Sequence, residues 1–185
     1  MKIDLDAVFA GQISYADMIR DVHHADLYRM TGELFDTLTQ ILSPATDAAV
    51  LFVPRDPAAS DDSERGWTLS HIVAHLTATL EESAAMAAMF ARGVPAEGRL
   101  RFEVPWQELS SLALVRARLQ ESQRICRAFL DAWPDAPHLN VTRTLIPLLG
   151  PLDAVGIYLL GIAHGQGHVD QLRETVQQFT SSSDL

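Results

Sequence analysis

Apolar residues recur every three or four positions along four long stretches of the chain, the spacing that lines one face of an α-helix. The first stretch covers about 14–42, carried by Met18, Val22, Leu27, Leu34, Leu38 and Ile41, with Pro44 as its stop. The second covers about 68–91: Thr68 suits an N-cap, and Gly93 is its C-terminal signal. The Ala-rich run from Ala84 to Ala88 favours helix and permits a close neighbour. The third covers about 105–132 and opens on Pro105, with Leu109, Leu112, Leu119, Cys126, Leu130 and Trp133 as its stripe and Pro134 as its end. The fourth covers about 151–179, opening on Pro151 with Asp153 in a first turn that favours acids.

Between these stretches lie segments rich in Pro, Gly, Asp and Ser. Residues 43–66 are expected to form a surface connection that tucks Val50-Leu51-Phe52-Val53 against the helices and ends in Asp61-Asp62-Ser63. Residues 134–150 form the second long connection. No repeat and no strand hairpin interrupts the pattern, so the expectation is one all-α domain over 1–185, a four-helix bundle with long connections after its first and third helices.

Composition excludes several classes. No apolar run approaches the ~20 residues of a bilayer span, and acids follow Met1 closely where a signal peptide would be apolar, so a cytoplasmic protein is expected. A net charge of -10 without a basic patch argues against nucleic-acid binding through phosphates. Cys126 is the single cysteine; it excludes an intramolecular disulfide and a Cys-rich zinc site, and its place on an apolar stripe predicts a buried, inert thiol. Any metal must therefore be held by nitrogen and oxygen.

Seven histidines supply the nitrogen. His71/His75 and His164/His168 are i,i+4 pairs, which place two imidazoles on one helix face, roughly 6 Å apart at Cβ. Leu160, His164, His168 and Leu172 continue one line, so the fourth-helix pair is expected to face the interior. On the second helix His75 lies a turn deeper than His71, among Ile72, Val73 and Leu76, and is the better ligand. His71 falls in the first turn, where a capping box would place Glu or Gln, and is expected to be partly exposed at the site rim. Two nitrogens from one helix and one from another form a three-ligand set with an open position. Gly165 stands where a zincin protease needs Glu, so that reading is excluded. Trp67 reads as a hydrophobic staple, and His23, His24 and His138 as surface or loop residues.

Trp67-Thr68-Leu69-Ser70-His71-Ile72-Val73-Ala74-His75-Leu76 resembles the "W-S/T-x-x-E-I-x-x-H-L" opening of the second helix in the DinB/YfiT-like superfamily. His164-Gly165-Gln166-Gly167-His168-Val169-Asp170-Gln171-Leu172 resembles that family's fourth-helix "H-x-x-x-H-x-x-Q-I", in the same order and with roughly 90 residues between the motifs. The resemblance implies an up-down-down-up four-helix bundle, often dimeric, with zinc or nickel on His75, His164 and His168. It also implies either thiol-dependent S-transfer, with a low-molecular-weight thiol as partner, or metal-dependent hydrolysis. Gln171 matches the family glutamine and is expected to orient a ligand or bridge helices. The departure is His71, where the family has an acid; whether it adds a ligand or solvates the helix start stays open here. The contrasting reading is a non-catalytic, metal-stabilised bundle serving stress response or interaction.

Overall fold

Local capping and packing decide where each periodic stretch actually starts and stops. The computed structural model describes residues 2–55 and 66–183. Among the described residues the chain forms seven α-helices and no strand. These are α1 (Leu5–Phe9), α2 (Tyr15–Ile19), α3 (His24–Ile41), α4 (Asp47–Val50), α5 (Leu69–Ala91), α6 (Leu112–Asp131) and α7 (Ala154–Ser183).

The expected first helix, 14–42, is corrected to two helices. Ser14 caps α2 by accepting from the Asp17 amide, and the chain then turns before restarting. His23 is extended, and the Asp26 carboxylate accepts from its amide at 3.1 Å, a reciprocal cap that opens α3. Periodicity hides this break because Met18, Ile19 and Val22 pack on the same core as α3. Tyr15 is buried on α2 and donates its hydroxyl to the Gly156 carbonyl of α7 at 2.9 Å.

The third and fourth starts are corrected in the same way. Residues 106–108 form a short 3-10 turn behind Pro105, and α6 begins only after Ser111, whose hydroxyl accepts from the Leu114 amide. Pro151 precedes α7 rather than opening it. Asp153 is the cap, its carboxylate accepting from the Gly156 amide at 2.9 Å. Leu152 is held just before that cap by paired backbone hydrogen bonds with Arg143, both 2.9 Å.

Thr68 does cap α5, accepting from the His71 amide at 3.2 Å. Gly93, at φ +80°, closes it in a Schellman pattern, with the Val94 amide donating to the Met89 carbonyl and the Gly93 amide to Phe90. In the 43–66 connection Ala49 and Val50 are buried and Phe52 stands edge-on to Phe179, while Leu51 and Val53 are exposed. Asp61-Asp62-Ser63 lies outside the described residues.

The four long helices pack as neighbours in pairs: α5 lies against α7 and α6, and α3 lies against α7 and α6. Helix α5 is buried on nearly every face. Glycines set how close α7 comes to its neighbours: a Cβ at Gly161 would sit 2.6 Å from Ser83 Cβ, and one at Gly165 would sit 2.7 Å from a Leu34 methyl. No helix among the described residues is long and apolar enough to cross a membrane.

Candidate metal centre

His75 lies in the second turn of α5, and His164 and His168 lie one turn apart on α7. The close α5–α7 approach lets the three half-buried rings converge across the helix interface. His164 Nε2 is 3.1 Å from His75 Nε2 and 3.2 Å from His168 Nε2. Their ligand atoms all lie within 4.8 Å of one another, and no carboxylate among the described residues joins the group.

These separations can be tested against a metal. Zinc–nitrogen bonds of about 2.0–2.1 Å set a tetrahedral N···N edge of about 3.3 Å, close to both observed distances. The donor set therefore fits a small divalent ion, with three protein nitrogens and one position left over.

Ring environment decides how ready each imidazole is. Burial, then the other histidines and Arg101, push the His164 pKa down to about 3. Burial, with His168, Arg101 and His71, pushes that of His75 down to about 4. Both rings are thus neutral at pH 7, the form a metal requires. His168 Nδ1 donates to the Gln171 amide oxygen at 2.6 Å, which leaves the Nε2 lone pair pointing into the site. His75 is held differently. Arg101, which only donates, reaches His75 Nδ1 at 3.1 Å and the His75 carbonyl at 3.3 Å. That contact places the His75 proton on Nε2, directed at His164. Ligation requires the opposite tautomer, with the guanidinium held instead by the carbonyl, Thr79 and Glu103.

His75, His164 and His168 come together as expected, and Gln171 lies beside them. His71 departs from expectation. That ring is only 9% exposed and stands outside the convergent set. It is stacked on Trp67 (centroids 4.3 Å) and on Trp106 (5.5 Å), both nearly parallel to it. Burial is thus the correction to its expected exposure, because a 3-10 turn 35 residues away closes over the start of α5. Trp67 is more than a staple: its ring also meets His75 edge-on at 4.8 Å and lies 6.1 Å from His168. Arg101 and Trp106 were not anticipated; both come from the 92–111 connection. His24 stacks on Trp133 and His138 packs beside Gly93, both away from the triad. Cys126 is buried, and burial pushes its thiol up to about 12, as an inert core thiol requires.

A cavity of about 370 Å³ opens onto His164, walled by α5, α7 and the connections after α5 and α6. Its apolar wall includes Met86, Ile146, Ile157 and Leu160, with Arg143 and an Arg99–Glu82 ion pair among the polar groups.

The family model of the DinB superfamily matches residues 30–172, well over half the chain, from α3 through the triad to Leu172. No curated protein and no solved structure matches the chain.

Proposed function

Since the chain belongs to the DinB superfamily, we propose that it is a metal-dependent enzyme holding one zinc or nickel ion on His75, His164 and His168, within a single up-down-down-up four-helix bundle. The neighbour pattern of α3, α5, α6 and α7 supports the bundle. The observation that carries the metal is the convergence of three imidazole nitrogens within 4.8 Å of one another, with the His164 Nε2 at near-tetrahedral spacing from those of both His75 and His168.

The chain's own residues supply the rest. Burial keeps His75 and His164 uncharged, and Gln171 fixes the His168 tautomer. Trp67 and the stacked His71 wall the site on the α5 side. The cavity at His164 gives a small substrate access to the open position. A divalent ion there supplies Lewis acidity, lowering the pKa of a thiol or a water toward neutrality. Closed structural zinc sites use four protein ligands, so a three-nitrogen set beside a cavity favours catalysis over a purely structural ion.

The test is metal analysis followed by an assay panel. Purified protein is expected to retain one equivalent of zinc or nickel, and the His164→Ala/His168→Ala double variant to lose it. Absence of bound metal after loading with either ion would sink the reading. On the loaded protein, turnover that needs a low-molecular-weight thiol assigns S-transfer, and thiol-independent turnover of esters or amides assigns hydrolysis. Loaded protein inactive in every arm would leave the contrasting, non-catalytic role.

A further inference from the structure

The cavity beside His164 has a chemical bias that the triad does not account for. One wall is apolar, formed by Met86, Ile146, Ile157 and Leu160. Among its charged groups, Glu82 is matched by Arg99, which contacts it through two nitrogens at 2.9 and 3.2 Å. Arg143 has no carboxylate partner among the described residues. Its Nη1 donates to the carbonyls of Ala96 and Gly98, both at 3.1 Å, which anchors the guanidinium against the 92–111 connection. Its backbone is clamped by the paired bonds to Leu152. Of five guanidinium donors, those on Nε and Nη2 carry no hydrogen bond to any described residue, and together they form the side-on fork that fits a carboxylate. The cavity thus presents an ordered, uncompensated cation inside a molecule whose net charge is -10.

We propose that this cavity binds a small carboxylic acid with an apolar body: the carboxylate on the Arg143 fork, the body along Leu160, Ile157 and Met86, and the reacting end toward His164. The proposal rests on the metal-centre reading only for the last of these placements. The volume, about 370 Å³, lies at the lower end of the ~300–1,000 Å³ typical of small-molecule sites, so a compact acid fits better than a large conjugate. Arg143 selects by charge and planarity, and the apolar wall by shape. An uncharged isostere leaves the guanidinium desolvated and unmatched, which is why discrimination rather than raw affinity is the signature.

Calorimetric titration of the full chain with octanoate and 3-phenylpropanoate, each against its primary amide, tests this at low chloride. The acids are expected to bind at least tenfold more tightly than the amides. Arg143→Gln is expected to abolish that preference while leaving metal content unchanged, and Arg143→Lys, which keeps the charge but loses the fork, to reduce it. If Arg143→Gln fails to fold, the Lys variant and the acid–amide comparison on the unaltered chain carry the test. Equal binding of acid and amide, or a preference untouched by either variant, overturns the proposal. Repeating the titration on chelator-treated protein separates the two readings. An acid preference without any metal binding keeps the anion site and sinks the metal centre, and stoichiometric metal without an acid preference does the reverse.

Discussion

Three histidines share a site but not a state of preparation. His168 has its Nδ1 proton taken by Gln171, so its Nε2 lone pair is already directed inward. His75 has its Nδ1 occupied by a guanidinium donor, so its Nε2 proton must move before it can ligate. The two supporting residues should therefore act with opposite sign. Gln171→Leu removes the acceptor that fixes a ligand's tautomer, a loss typically of about 10–100-fold in metal affinity. Arg101→Gln removes a cation and offers His75 Nδ1 an acceptor, and is expected to tighten binding several-fold. Competition against a chelator of known affinity reads both, and a change of the same sign in the two variants would contradict this account. The i,i+4 pair on α7 was legible in the sequence because it follows from helical spacing, and Gln171 through the family motif; the greater depth expected of His75 was not found, since His71 is the more buried of the two. Arg101, Trp67 over the rings, and the burial of His71 were not legible. Arg101 and the burial of His71 depend on where the 92–111 connection crosses the start of α5, and nothing in local periodicity fixes that.

Helices meet at distances set by what projects between them, and α7 makes the point within its His-Gly-Gln-Gly-His run. Gly165 faces a Leu34 methyl and the Leu80 side chain, with no room for a Cβ without displacement. Gly167 is exposed, with nothing within 4 Å of such an atom. Gly165→Ala should therefore push α7 from α3 and cost about 1–3 kcal/mol by overpacking. Gly167→Ala should stabilise the helix by about 0.5–1 kcal/mol through propensity alone. Urea denaturation of the two variants checks the pair, and equal shifts would show that Leu34 yields freely. Capping explains why the helical stretches were readable but their starts were not. Thr68 and Gly93 coincide with the ends of an apolar stripe, so α5 was placed almost to the residue. At 20–23 the stripe runs straight through a break that Asp26 creates by capping His23. At Pro105 and Pro151 a proline looked like a first helical residue, yet Ser111 and Asp153, further along, accept the first-turn amides instead.

At the scale of the molecule, a chain of net charge -10 folds around neutral imidazoles and a pocket cation, so acid acts on it in two distinct ranges. Between about pH 6.5 and 4 the groups that matter are His75 and His164. Unfolded, they take up protons near the ordinary histidine value of 6.5. Folded, His164 does so only near 3 and His75 near 4, chiefly because burial disfavours the charged rings. The unfolded state therefore binds more protons across this window, and stability must fall as pH falls through it. The loss begins near 6.5 and levels off only below the folded values; His75 is half-exposed, which makes its share the smaller. Carboxylate protonation, which relieves self-repulsion among the excess acids, enters only near their own pKa of about 4. The range from pH 7 to 5 thus isolates the histidines. Metal-free protein is expected to show a melting temperature that declines steadily over that range. His75→Phe/His164→Leu, which removes both titrating rings, should flatten the decline. Circular dichroism melts at half-unit steps measure this directly. A melting temperature that holds level or rises from pH 7 to 5 in the unaltered chain would mean that the two rings are solvated enough to titrate normally, and with that the uncharged state of the ligand set would fail.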